Sequence, residues 1–265
     1  EALVFGDERL SWKDFKERMD RIARAYLAVG VERGDRVALL SAARNEFESA
    51  QIVALSLSRL DLADCRAEIS PLVGPAGARI GGENLRLSVV GYVNTGKPNY
   101  DTAFVGEWPD PLLPNESFTL AAGQRQPIWL RAYVPPGARP GDYRGTLTVT
   151  GGGEKLEMAV VLHVFDFDLP RRQHLATPFG CGAEELAQWY TGQSDYRRVL
   201  SPDVWTRWNE FLLDYRITPT RAGQAFVVEE TGPGGRATYD YSILDECLNA
   251  IVDRLPPKGV NMAGV

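Results

Sequence analysis

The residues best placed to do chemistry in this sequence are its adjacent carboxylates: Asp7-Glu8, Glu184-Glu185, Glu229-Glu230 and Asp245-Glu246. Two acids near one bond can divide acid and base work between them. Position decides whether they do. Asp245 stands three residues after Ser242, the spacing of a capping box, and Glu246 points away from the apolar side of its helix. Both read as capping and solvated charge. His163 and His174 are the only histidines, so a multi-histidine metal site is excluded. His163 shares a strand face with Val161 and Phe165 and reads as a structural histidine; His174 follows Pro-Arg-Arg and reads as surface. Cys65, Cys181 and Cys247 lie far apart and make no metal spacing, and their odd number rules out a complete disulfide framework. "TGGGEK" at 150–155 and "TGPGGR" at 231–236 lack the spacing of a phosphate-cradling loop, and the first falls between two strands as a hairpin turn. No residue is assigned as catalytic or metal-binding, no cofactor is implied, and the substrate-binding residues stay open.

The elements that would position these groups divide the chain in three. In the first, "ALVF" and "RLSW" flank Gly6-Asp7 as a small hairpin. Ser11 and Asp14 then cap a helix whose Trp12, Phe15, Met19, Ile22 and Tyr26 form one stripe, Gly30 ends it, and "RVALL" follows as a buried strand of the same segment. In the second, "ESAQIVAL", "LRLSVVGYV", "QPIWLRAYV", "RGTLTVT" and "KLEMAVVLHVFDF" read as strands between Gly/Pro-rich turns, the pattern of a β-sandwich. Ile128, Leu130, Ala132 and Val134 alternate with Trp129, Arg131 and Tyr133. In the third, Ser201 and Pro202 open a helix with Val204, Trp205, Trp208, Phe211, Leu212 and Tyr215 on its apolar face. A second helix over 241–255 carries Leu244, Leu248, Ile251, Val252 and Leu255. Short strands are expected at "LATPFG", "RITPT", "AFVV" and "VNMAGV", which makes βα units. A closed (β/α)8 barrel needs about 250 residues, so any barrel here is incomplete.

The chain has 265 residues, 26 glycines, 17 prolines and a net charge of −6, which suits a turn-rich domain and argues against a nucleic-acid partner. No run is apolar over the roughly 18 residues of a membrane span, and no leader is visible in a chain that opens on Glu1. Oligomeric state is not legible.

"AARNEFESAQIV", "WPDPLLP" (108–114), "WLRAYVPPGARPGDYRGTLTV" (129–149), "VFDFDLP" (164–170) and "LLDYRITPT" (212–220) occur in order. Together they resemble glycoside hydrolase family 123 over about residues 41–265. The resemblance implies a mixed fold: a β-sandwich at 44–170, then the first βα units of an incomplete TIM barrel at 171–265. It implies a glycan substrate with terminal β-linked N-acetylgalactosamine, and an extracellular or periplasmic parent enzyme. It also implies a substrate-assisted mechanism, in which an Asp-Glu pair serves at a barrel strand end. No residue here matches that pair in context, so Asp245-Glu246 receives no catalytic role and the chain is expected to be an inactive fragment. Residues 1–43 instead resemble the opening of adenylate-forming acyl-CoA synthetases, in "ALVFGDERLSWKDFKERMDRIARAYLAVGVERGDRVALL". That points to a chimeric N-terminus, without the synthetases' phosphate loop. Two alternatives stay open: a non-catalytic carbohydrate-binding or structural sandwich, with Trp108 or Trp129 as aromatic platforms, and a fragment of an ATP-dependent acyl-CoA synthetase.

Overall fold

The computed structural model describes residues 3–5, 8–11, 13, 16, 17, 20, 21, 37–57, 59–102, 105–177, 183–193, 201–219 and 228–256. It divides into two units, Glu1–Asp168 and Leu169–Val265.

The first unit opens with the expected hairpin, β1 (Leu3–Phe5) paired antiparallel with β2 (Glu8–Leu10). After Ser11, the described residues 13, 16, 17, 20 and 21 are helical, and Lys16 donates to Asp20 across one turn at 2.6 Å. The expected stripe of Trp12, Phe15, Met19, Ile22 and Tyr26 lies outside the described residues, as does Gly30.

Two sheets follow. The larger is built from β3 (Val37–Arg44), β5 (Leu62–Ile69), β10 (Phe118–Leu120), β12 (Gly141–Gly151) and β13 (Glu154–Asp168), in the order β10-β5-β12-β13-β3. Of two short strands, β6 (Leu72–Val73) pairs with β12, and β7 (Arg79–Ile80) pairs with β6. The smaller runs β4-β11-β8-β9, from β4 (Glu46–Leu55), β8 (Leu85–Asn94), β9 (Glu107–Pro114) and β11 (Arg125–Val134). Alternation decides what faces inward. Ile128, Leu130, Ala132 and Val134 are at most 1% exposed, while Trp129, Arg131 and Tyr133 between them are half-buried on the other face. Val160, Leu162 and Val164 of β13 meet them in the core. Each such Val or Leu stabilises the fold by roughly 1.5–3 kcal/mol through burial.

Three sequence motifs take local explanations. "TGGGEK" is the β12–β13 hairpin turn: Gly152 and Gly153 have φ of 57° and 83°, which a two-residue type I′ turn requires. In "RPGDYRG" the Tyr143 ring is 1% exposed and its hydroxyl donates to the Arg139 carbonyl, 2.9 Å away, as in the tyrosine corner of sandwich folds. "AARNEFES" is a corner. The chain leaves the larger sheet at Arg44 and enters the smaller at Glu46 through Asn45, whose φ of 59° asparagine tolerates. Asn45 N–H donates to Val134 O at 2.7 Å, and the Tyr133 hydroxyl donates to Asn45 Oδ1 at 3.0 Å. The Arg44 guanidinium holds Asp166 and Asp168 of "VFDFD" at 3.0 and 2.9 Å, which raises its pKa further above the ordinary value.

This corner bears on the expected boundary between 43 and 44. β3 runs parallel to β13, from Val37 opposite Ala159 to Arg44 opposite Asp168, and Leu40, Ala42 and Ala43 are buried. "RVALL" is therefore a strand of the sandwich itself. Five strands of this unit were not anticipated: β5, β6, β7, β9 and β10. β5 carries Asp64, Arg66 and Glu68, which hide the alternation of Cys65 and Ala67. β9 contains Pro109, Pro111 and Pro114, tolerated because it is an edge strand.

In the second unit the described helices are α1 (Ala183–Thr191), α2 (Pro202–Asp214) and α3 (Ser242–Asn249). Ser201 caps α2 as expected, its hydroxyl accepting from Val204 N–H at 3.3 Å. The apolar face differs from the expected one. Trp205, Asn209, Leu212 and Leu213 are buried, while Val204 and Phe211 stay exposed. Helix α2 ends in a Schellman motif: Ile217 N–H donates to Leu212 O and Arg216 N–H to Leu213 O, with Arg216 at φ 59°. Arg254, 8% exposed, sits at the same helix end. It donates to Asp214 at 2.6 Å and to the Glu210 carbonyl at 3.4 Å, a favourable place for a cation.

The helix expected over 241–255 stops at Asn249, a 3₁₀ turn follows at Val252–Arg254, and Val252 is 53% exposed. Its start is not a Ser242 capping box either. Ser242 N–H donates to Asp240 Oδ1 at 2.9 Å, which holds the Asp240 carboxyl below the usual range. Of the expected short strands, Thr218 of "RITPT" forms an isolated bridge; its N–H donates to Thr177 O at 3.1 Å. The described half of "LATPFG", residues 175–177, forms no strand, while 178–180, most of "AFVV" and all of "VNMAGV" lie outside the described residues. The strands described in this unit are one antiparallel hairpin, β14 (Val228–Thr231) with β15 (Ala237–Asp240).

Candidate functional site

The carboxylate pairs come first. Asp245 and Glu246 are both exposed in the first turn of α3, and Asp245 N–H is spent on the Tyr241 carbonyl at 2.8 Å. Glu185 and Glu230 are likewise exposed; the side chains of Asp7, Glu8, Glu184 and Glu229 lie outside the described residues. Among the described residues no cluster of three His, Cys, Asp or Glu groups could hold a metal ion. Cys65 and Cys247 are buried and free, and Cys181 is outside the described residues. His174 is exposed, as expected.

His163 is paired rather than packed away. Asp142 stands directly opposite on β12, with its Oδ1 2.7 Å from His163 Nδ1, and Arg144 lies 3.5 Å from the same carboxylate. The ring meets Phe165 edge-on at 5.0 Å. Among the described residues no serine or cysteine nucleophile is bonded to this pair, so its visible work is to orient an exposed histidine on the sheet face.

The two expected aromatic platforms differ. Trp129 is half-buried on the outer face of the smaller sheet, opposite Gln51 and Ser88. Beside it, Arg131 lies 5.1 Å over the Phe47 ring, and Phe47 packs on Tyr133 at 4.7 Å. That row is occupied with itself. Trp108 is 44% exposed and lines a cleft of about 350 Å³ at the β8–β9 end, together with Thr95, Gly96, Pro98, Tyr100 and Thr102. Tyr100, 70% exposed, was missed in the sequence, where its one signal is a lone aromatic inside the Gly/Pro-rich "NTGKPNYD". The walls are held in place. Thr95 N–H donates to Gly106 O at 2.8 Å, and the Thr95 hydroxyl donates to the same carbonyl and accepts from Gly106 N–H. This ties off the loop at both ends.

The sandwich that carries this cleft has a recognised counterpart. Residues 31–151 match the family model of the glycoside hydrolase 123 N-terminal domain. The chain is glycoside hydrolase 123-like there, and the match begins before β3, inside the segment expected to resemble acyl-CoA synthetases. Among solved structures, a family 123 glycoside hydrolase from Clostridium perfringens, described for glycolipid glycan hydrolysis, is 16% identical with a TM-score of 0.56. The alignment covers 87% of this chain and 43% of that one, so this chain spans less than half the enzyme's length. At that identity the likeness shows a shared fold. The CupB2 chaperone of Pseudomonas aeruginosa (9% identical, TM-score 0.30, covering 51% of this chain and 55% of that one) is far more distant. So is a PapD-like domain of human CEP192 (10%, 0.28, 51% and 84%). No curated protein sequence matches the chain. No described helix is long and apolar enough to cross a membrane.

Proposed function

We propose that this chain is part of a glycoside hydrolase acting on terminal β-linked N-acetylhexosamine of the N-acetylgalactosamine type, with the sandwich as a non-catalytic support. The observation that carries this reading is the match of residues 31–151 to the glycoside hydrolase 123 N-terminal domain, on a sandwich that the fold independently displays. On this reading residues 171–265 open a TIM barrel, and catalysis is substrate-assisted. The sugar's own acetamido oxygen attacks the anomeric carbon, an Asp orients the acetamido group, and a neighbouring Glu protonates the leaving oxygen. This departs from the usual two-carboxylate scheme. No residue of this chain is given either role. Asp245-Glu246 has the right letters, but it sits exposed on a helix rather than at a strand end lining a cleft. The 265-residue chain is therefore expected not to hydrolyse. Incubation with 4-nitrophenyl β-N-acetylgalactosaminide tests this. No nitrophenolate above the protein-free rate is expected, and protein-dependent release would overturn the claim that this chain lacks the catalytic pair.

A further inference from the structure

We propose that the Tyr100–Trp108 cleft of the sandwich is a binding subsite for a neutral pyranose bearing an acetamido group. The identity of the sugar rests on the proposed function; the neutrality and the sugar-like shape rest on the cleft. Every described side chain lining it is uncharged, which disfavours a phosphate or carboxylate. Two aromatic residues keep much of their surface open, in contrast with Trp205, which is 1% exposed in its unit's core. An exposed aromatic ring offers an apolar face to the C–H face of a pyranose, or to an acetamido methyl. The Gly96 backbone and the remaining lone pair of the Thr95 hydroxyl, whose proton goes to Gly106 O, supply polar contacts beside the rings. About 350 Å³ is at the small end of ligand-binding clefts, suited to one ring rather than a long chain. The Thr95–Gly106 bonds fix the loop ends beforehand, which lowers the ordering cost of binding. An extended peptide is disfavoured, because the adjacent edge strand β9 carries Pro109 and Pro111, which lack the N–H groups that strand addition uses.

The test is saturation-transfer NMR and calorimetry on the 265-residue chain, with methyl β-N-acetylgalactosaminide and methyl β-galactoside as probes. The expected result is binding of the acetamido sugar, weakened about tenfold or more by Tyr100→Leu and by Trp108→Leu, with the galactoside weaker. Tyr100 is exposed enough that its variant keeps the wild-type unfolding midpoint, so lost binding there is not lost folding. Absence of saturation transfer, binding unchanged in both variants, or equal binding of the galactoside would each overturn the proposal. Hydrolysis is read separately. Nitrophenolate release by the chain would overturn its expected inactivity without touching these binding results, and binding that ignores both aromatics would sink the cleft alone.

Discussion

Replacing Gly74 with alanine puts the tyrosine corner under a defined strain. Gly74 has φ −116° and ψ −165°, extended backbone that any residue adopts, so the backbone itself offers no resistance. The side chain does. A Cβ built there would lie 2.5, 2.6 and 2.7 Å from Cε1, Cδ1 and Cζ of Tyr143, against about 3.5–4.0 Å for relaxed carbon contacts. The ring must retreat by about 1 Å. It is 1% exposed and tethered by its hydroxyl to Arg139 O, so it cannot swing into solvent. Overpacking of this kind costs about 1–3 kcal/mol. Against it, alanine stiffens the unfolded chain and returns about 0.4–1 kcal/mol. The expected net effect is a destabilisation of about 1–2 kcal/mol, or a urea midpoint lowered by about 1 M. Hydrogen exchange of β12 peptides as a function of urea reads this for the sandwich separately from the second unit. Tyr143→Leu is itself destabilising, but it removes the ring, and in that background Gly74→Ala should cost nothing. The coupling between the two sites should be about 1–3 kcal/mol. An equal cost in both backgrounds would refute the contact argument, as would an unchanged midpoint in the single variant.

Two further outcomes follow from the second unit. Ser201→Ala removes the hydroxyl that accepts from Val204 N–H and should cost α2 about 1 kcal/mol by urea-dependent exchange of its amides, while Ser201→Asp should keep the protection. Asp240 is depressed first by the Ser242 backbone N–H and then by the Ser242 side chain. A depressed carboxyl contributes stability above its unfolded pKa and loses it as pH falls through the folded value, so the start of α3 should loosen only in acid. Carbon-13 titration of the Asp240 carboxyl should give a midpoint below that of an ordinary aspartate, and Asp240→Asn should abolish the pH dependence of the Ser242 amide shift.

What the sequence made legible is what short-range rules govern. The alternation over 128–134, the double-glycine turn at 152–153 and the Ser201-Pro202 helix start each depend on neighbours within a few residues, and all three form as read. What stayed hidden depends on distant partners. Asp142 and His163 meet only because β12 and β13 pair in one register. Tyr100 and Trp108 share a cleft because the Thr95–Gly106 bonds return the loop that carries Tyr100 to the start of β9, which carries Trp108. β9 reads as irregular because its prolines are acceptable only at a sheet edge, and an edge is a property of the sheet, not of the segment. The helix after Ser242 reads too long because Leu255 and Ile251 are buried after the chain has already left the helix. The boundary at 43 is the most instructive case. Asn45 marks a change of sheet, and a change of sheet looks like a change of domain when only the pattern of residues is available.

The central structural claim is that one glycoside hydrolase 123-like sandwich begins at β3, before this corner. Two truncations test it most directly: residues 37–265, which keep β3, and residues 45–265, which remove it. Hydrogen exchange of β11 and β13 is the readout. β3 supplies the parallel partner of β13, the buried Leu40 and Ala42, and the Arg44 bonds to Asp166 and Asp168. The first truncation should therefore match the full chain, and the second should lose protection throughout β13. Full protection of β13 in residues 45–265 would contradict the account and restore a domain boundary at the corner.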